Sequence, residues 1–254
     1  MRVLNQAFDD AMIPEEQAAM PFAGGMLQHG YQCGMTWGAT LAAGAQAYRL
    51  LGPGTQAESW AIIAAQGLVE TFRAHNKHLN CTDLTGIDKS SSTMQMTTYF
   101  LLKGGTVSCM RMAVKYAPAA FNTIHAALSR NDVTAPPAPV SCSALLAHKM
   151  GASDLHTTMA AGFAGGMGLS GGACGALGAA LWITGMNIIK DGVDKLEFNN
   201  PKTAEVISRF VKCTGYEFEC SKIVGRRFAD VADHAAYVCE GGCSKIIEGL
   251  MQTK

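Results

Sequence analysis

The stretch GFAGGMGLSGGACGALGAALWITG, Gly162 to Gly185, sets a glycine-rich loop against a cysteine and an apolar, alanine-rich run. Much of the same text, PFAGGMLQHGYQCGMTWGATLAAG, already stands at Pro21 to Gly44. At an offset of 141 positions, Phe22 to Gly44 aligns with Phe163 to Gly185, and 10 of the 23 positions are identical. The run Phe22 to Met26 matches Phe163 to Met167, and Cys33/Cys174 and Gly34/Gly175 coincide. Agreement of this density in an aperiodic stretch marks two long repeated units, not a solenoid array.

The repeat continues downstream in the same order. QAESWAIIAAQGLVETF after Thr55 and AEVISRF after Thr203 read as amphipathic helices with those threonines as N-caps. Each helix leads to a cysteine with a fixed sequel, CTDLTG from Cys81 and CSKIVG from Cys220. Each half then reaches another cysteine opening a helical run, CMRMAVKY from Cys109 and CSKIIEGL from Cys243. Pro136, Pro137 and Pro139 in RNDVTAPPAPVS favour an extended connector. The expected units are therefore residues 1–134 and 135–254. Apolar spacing of three and four is common and strict alternation scarce, so the expected class is all-α, with two similar helical units packed as an internal pseudo-dimer.

Composition narrows the function. The 254 residues are 48% hydrophobic, ample for a packed core, and 20 basic residues balance 20 acidic ones. No electrostatic footprint for nucleic acid or an anionic membrane results. The opening MRVLNQAFDDAMIPEE has no apolar core of secretory length, which points to the cytoplasm. Thr157 to Ile189 is uncharged, but nine of its 33 residues are glycine, and the helix expected after Cys174 falls short of the roughly 20 residues a span requires. A buried core helix is the expectation there. Nine cysteines in such a compartment point to reduced thiols, metal ligands or redox chemistry before structural disulfides.

The spacing places Cys174 in the first turn of a helix, where unpaired N–H groups and the helix dipole favour a thiolate, a better nucleophile and metal ligand. Gly165, Gly166, Gly171, Gly172 and Gly175 let backbone approach a bound cofactor closely, or serve tight packing alone. GMGLSG formally matches the dinucleotide fingerprint but follows no expected strand, there is no phosphate-loop lysine, and Cys-x-x-Cys is absent. Cys142, Cys174, Cys220 and Cys243 would supply four thiolates, the complement of an iron–sulfur cluster or a tetrahedral zinc. The first half offers Cys33, Cys81 and Cys109, with Met1 where Cys142 has its partner. Spacing alone leaves metal binding and buried free cysteine both open. Cys239, four residues before Cys243, is close enough to share a metal or exchange a disulfide, and Cys213 reads as core. His29 and His156 flank the glycine loops as either ligands or structural residues.

A cysteine, a glycine-rich loop with a CGA-type helix start, then two more cysteines resembles the redox-active protein family named for its C…CGAxxG…C…C pattern. The second half carries it best over residues 141 to 250, from Cys142 through Cys174 to CSKIVG and Cys243; a degenerate copy covers 20 to 125. Ala179 stands at the pattern's second glycine, which Gly38 supplies in the first copy, where Met35 replaces the alanine. The family is similar to the non-haem domain of split-Soret cytochromes, and the resemblance implies cysteine-bound iron–sulfur chemistry. It makes Cys142, Cys174, Cys220 and Cys243 the expected ligands of a redox cluster, with Cys33, Cys81 and Cys109 lining a related site. A metal-free thiol–disulfide oxidoreductase using Cys174, or a zinc-stabilised interaction module, are the rival readings. The partner is a redox protein or a small molecule, and a homodimer is left open.

Overall fold

The duplication is visible helix by helix in the computed structural model, which describes residues 1–251 except 131, 133 and 199. The first half comprises α1 (Arg2–Ala7), α2 (Ile13–Ala18), α3 (Gly34–Leu51), α4 (Thr55–Asn76), α5 (Cys81–Thr85), α6 (Thr93–Thr97) running into a π-helical turn (Thr98–Leu102), and α7 (Gly105–Leu128). The second repeats the order with α8 (Cys142–Lys149), α9 (Asp154–Ala161), α10 (Gly175–Lys190), α11 (Pro201–Thr214), α12 (Cys220–Val224), α13 (Val231–Cys239) and α14 (Ser244–Met251). The protein is all-α; extended pairing among the described residues is confined to two isolated bridges, Gln32 with Asn80 and Ala173 with Glu219, themselves related by the repeat. The 134/135 boundary falls in the connector between α7 and α8, of which residues 131 and 133 lie outside the described residues.

Local chemistry explains most helix limits. The apolar face of α4, with Ala57, Trp60, Ala64, Leu68 and Phe72, follows the three-and-four spacing and is buried. The N-caps of α4 and α11, however, are Gly54 and Asn200. Thr55 and Thr203 lie one and three residues inside. Asn200 caps α11 by accepting from the Lys202 N–H at 2.9 Å, while the Thr203 hydroxyl turns back to the Asn200 carbonyl at 2.8 Å. Among the described residues no helix is long and apolar enough to cross a membrane.

The halves are joined by exchange. Helix α9 of the second half packs on α3 and α4 of the first, and its counterpart α2 packs on α10 of the second. Glycine permits both crossings: a Cβ on Gly44 of α3 would lie 2.5 Å from the Met159 Cα, and one on Gly185 of α10 would lie 2.9 Å from the Ala18 carbonyl oxygen. Gly44 corresponds to Gly185 and Ala18 to Met159, so one contact is made twice.

Along the pseudo-twofold axis, positions related by the repeat meet each other. The rings of Phe22 and Phe163 pack edge to face at 5.5 Å. The Gln32 side chain accepts from the Ala173 N–H at 2.9 Å and donates to the Gly166 carbonyl at 3.0 Å. The Trp37 ring occupies the space a Cβ on Gly178 would need. Glu15 and His156, also equivalent, bond to each other at 2.9 Å with both side chains largely buried. The hydrogen bond from His156 is the main reason the Glu15 carboxyl is held below the ordinary glutamate value.

Two predictions follow from the interface. Gly44→Val forces helix backbones apart and lowers stability by about 1–3 kcal/mol in chemical denaturation, as does Gly185→Val. A carboxyl with a depressed pKa stabilises the fold above its unfolded value and loses that effect as the pH falls. Glu15→Gln is therefore less stable than the parent at pH 6, and the difference closes below the ordinary glutamate value of 4.5.

Candidate metal centre

The two bridges set the cysteines side by side. In the second half the Cys174 N–H donates to the Phe218 carbonyl at 2.8 Å and the Cys220 N–H to the Gly172 carbonyl at 2.6 Å. In the first, Cys33 N–H donates to the Leu79 carbonyl at 2.9 Å and Cys81 N–H to the Tyr31 carbonyl at 2.7 Å. Cys174 and Cys33 are thereby N-caps of α10 and α3, while Cys220 and Cys81 open α12 and α5. Cys142 opens α8, and Cys243 immediately precedes α14 with φ at 65°, a left-handed conformation that costs a non-glycine residue energy. Its counterpart Cys109 lies inside α7 instead.

The four second-half thiols are electrostatic neighbours: Cys243, Cys174 and Cys220 all act on Cys142. Cys142, Cys174 and Cys220 are buried, at 3%, 5% and 7% exposure. The Cys142 thiol is hydrogen-bonded to Cys243, and this bond pushes Cys142 up and pulls Cys243 down. Cys33, Cys81 and Cys109 form the corresponding trio, in which Cys81 and Cys109 both act on Cys33. Among the described residues no group of three or more His, Cys, Asp or Glu side chains is placed so that it could hold a metal ion. The four sulfurs thus gather from four elements without converging on one point.

Burial overturns the expectation of a thiolate at Cys174. It pushes that thiol up to about 12, while the backbone N–H groups of Leu177 and Ala176 at the start of α10 pull the other way. The helix terminus acts as the sequence suggests, but desolvation of a buried anion outweighs it. Cys33 is likewise pushed up to about 12, and Cys220, Cys81 and Cys109 are raised chiefly by burial. Burial therefore works against the thiolate that thiol exchange at Cys174 would use.

The loop glycines are occupied by packing. A Cβ on Gly165 would press on Leu169 and Phe228, on Gly166 on the Gly172 backbone, and on Gly171 on Ser221 and Arg227. Gly172 makes room for the Gln32 amide, and Gly175 for the Phe163 carbonyl. The loop is the floor that lets the two halves and the α10 terminus close on one another. The histidines are engaged elsewhere: His29 stacks on Phe218 at 4.7 Å with the Lys89 ammonium 3.3 Å away, and burial lowers its pKa to about 4. His156 bonds to Glu15. Cys239 is exposed, its sulfur near the Ala138 carbonyl at 3.8 Å, and Cys213 is half-buried.

One pair of site residues escaped the sequence reading. Tyr99 lies near Cys109 and Cys81, and Tyr237 near Cys243, Cys220 and Cys142, each hydroxyl raised chiefly by burial. A Cβ on Gly105 would strike the Tyr99 ring, and one on Gly242 the Tyr237 ring. The same tyrosine is thus seated against a glycine at the edge of each site. Their signal was in the repeat, 18 residues after Cys81 and 17 after Cys220, but a one-residue shift hid it.

Two cysteine sites, one of four thiols and one of three, on a duplicated helical frame define a redox-type protein. The chain matches the family described as "Putative redox-active protein (C_GCAxxG_C_C)" over residues 1–120 and again over 140–253, and belongs to it. Neither curated proteins nor solved structures gave a match. The family's pattern places its cysteine between glycine and alanine, which corrects the register used above. Ala173, Gly175 and Gly178 answer to its Gly, Ala and second Gly, and Gln32, Gly34 and Trp37 do so in the first half. Two of these positions, 32/173 and 37/178, are self-meeting pairs on the axis.

In metal-free protein at pH 8, iodoacetamide modifies exposed Cys239 first, while Cys33, Cys174 and Cys220 react only on unfolding; peptide mass mapping reads the order. Rapid modification of Cys174 in folded protein would contradict the burial argument.

Proposed function

We propose that the chain is an iron–sulfur redox protein whose cluster is held by Cys142, Cys174, Cys220 and Cys243. The observation that supports this reading is that Cys142, Cys174, Cys220 and Cys243, from four separate elements, are electrostatic neighbours, three of them buried. Four thiols match the usual donor set of a cluster. When bound, such a cluster supplies one-electron transfer.

The chain's residues set the conditions for it. Burial keeps unligated thiols protonated, so ligation releases protons and strengthens as pH rises. The N–H groups of Ala176 and Leu177 point at the Cys174 sulfur and lower the cost of its thiolate form. Tyr237 against Gly242 covers one edge and limits water. The Cys174 N–H donates to Phe218 and the Cys81 N–H to Tyr31, whose rings stack at 4.9 Å, so a continuous aromatic contact joins the two sites. The first-half trio, Cys33, Cys81 and Cys109, has no fourth thiol, and an apolar cavity of about 510 Å³ lined by Met1, Met35, Tyr116 and Phe121 lies beside it. A redox partner protein or small molecule exchanges electrons with the four-thiol site, and a small apolar substrate suits the incomplete one.

Protein purified without oxygen is expected to contain iron and acid-labile sulfide in comparable amounts, both lost from the second site in Cys174→Ala. A folded protein that stays colourless and iron-free after attempted cluster reconstitution would overturn the proposal.

A further inference from the structure

Helix α7 is apolar on two faces. Tyr116, Ala120 and Ile124 are buried on its inner side, yet Val107, Met110, Val114 and Pro118 recur at three- and four-residue spacing on the opposite, exposed side. The π-helical turn before it extends the row with Leu101 and Leu102, and its Phe100 carbonyl accepts from the Thr106 hydroxyl at 3.3 Å, which ties the turn to the start of the helix. Leu102 is 80% exposed and Val114 73%. A helix apolar all round is ordinarily covered on every side, and a continuous exposed apolar row marks an interaction surface.

The second copy serves as an internal control. Counted from Cys243, the counterpart of Cys109, the positions of Val107, Met110 and Val114 hold Gly241, Ser244 and Glu248. Counted from Tyr237, the counterpart of Tyr99, those of Leu101 and Leu102 hold Cys239 and Glu240. The repeated frame thus folds with a polar surface at these positions, and packing does not demand the apolar one. The charge balance of the whole chain also conceals a local excess. Between Asp88 and Asp132 the sequence has no acidic residue, whereas Lys89, Lys103, Arg111, Lys115 and Arg130 all fall there. Lys103 follows the two leucines, and Arg111 and Lys115 border the apolar row along one side of α7. These three are exposed, and among the described residues none of them is in an ion pair.

We propose that this face docks on an anionic lipid bilayer, with Leu101, Leu102, Met110 and Val114 entering the interface and Lys103, Arg111 and Lys115 meeting the headgroup phosphates. An aliphatic row bordered by cations is the composition of a helix that lies in the bilayer interface, and clustered Lys and Arg add attraction to an anionic leaflet. A second copy of the chain, pairing through the same face, would bring like cations together with no acidic residue of the segment to offset them. Val114 and Pro118 also line the apolar cavity of about 510 Å³ beside the first-half thiols, so that cavity opens on the docking face.

The test is co-sedimentation of the full chain with vesicles of phosphatidylcholine alone and of phosphatidylcholine with phosphatidylglycerol in about a three-to-one ratio, with analytical ultracentrifugation of the protein by itself. The assay requires no iron, so its outcome is separate from that of the cluster proposal. Expected is a monomer that binds the mixed vesicles about tenfold or more tightly than the neutral ones. Leu101→Ser with Leu102→Ser weakens that binding about tenfold or more, as does Arg111→Glu with Lys115→Glu. All four side chains are exposed, so both variants keep the fold. No binding to the mixed vesicles, unchanged binding in both variants, or a stable dimer that the Leu101 and Leu102 substitutions disperse would overturn the proposal.

Discussion

The structure depends on two copies of one helical unit meeting face to face through the same surface. Each places its short second helix across the long glycine-bearing helix of the other, and Gly44 and Gly185 allow the backbones to touch. In an isologous dimer of identical chains, every residue on the axis meets itself. Here Glu15 meets His156, Trp37 meets Gly178, and Gln32 meets Ala173. Self-pairing would set carboxylate against carboxylate and indole against indole. Joining the copies in one chain removes that constraint and permits complementary pairs of unlike charge and unlike size.

The same freedom accounts for the difference between the cysteine sites. Both are built by one device, a bridge that lays the residue before a helix start beside the residue before a second cysteine. The second half adds Cys142 at the head of α8 and closes its site; the first has Met1 in that place and leaves an apolar cavity next to its trio. Glycine serves the closure and not the ligand: the loop lets the Phe163 carbonyl reach the start of α10 and admits the Gln32 amide. Buried thiols resist ionisation, so the fold keeps these cysteines protonated in the absence of positive charge.

What was legible in the sequence follows from what a repeat encodes. The offset of 141 identified corresponding residues and hence the duplication, and the three-and-four apolar spacing gave the all-α class; the repeat pairs Cys174, Cys220 and Cys243 with Cys33, Cys81 and Cys109, and Cys142 with Met1. It did not say which copy a helix packs against, so the exchange of α2 and α9 was invisible, as was the meeting of His156 with Glu15. The direction of the Cys174 shift was missed for a related reason. Position at a helix start is local and readable, whereas desolvation depends on every element packed around the sulfur. The N-caps fall at Gly54 and Asn200, one and three residues before the expected threonines, and the tyrosine pair is hidden because the repeats differ by one residue between Cys81 or Cys220 and the tyrosine that follows.

X-ray absorption at the iron edge, on anaerobically reconstituted protein, addresses the central claim most directly. A cluster held by the four second-half cysteines predicts a first shell of sulfur alone together with iron–iron scattering, diminished when Cys142 is replaced by serine. A shell of nitrogen and oxygen with no iron–iron component would contradict it.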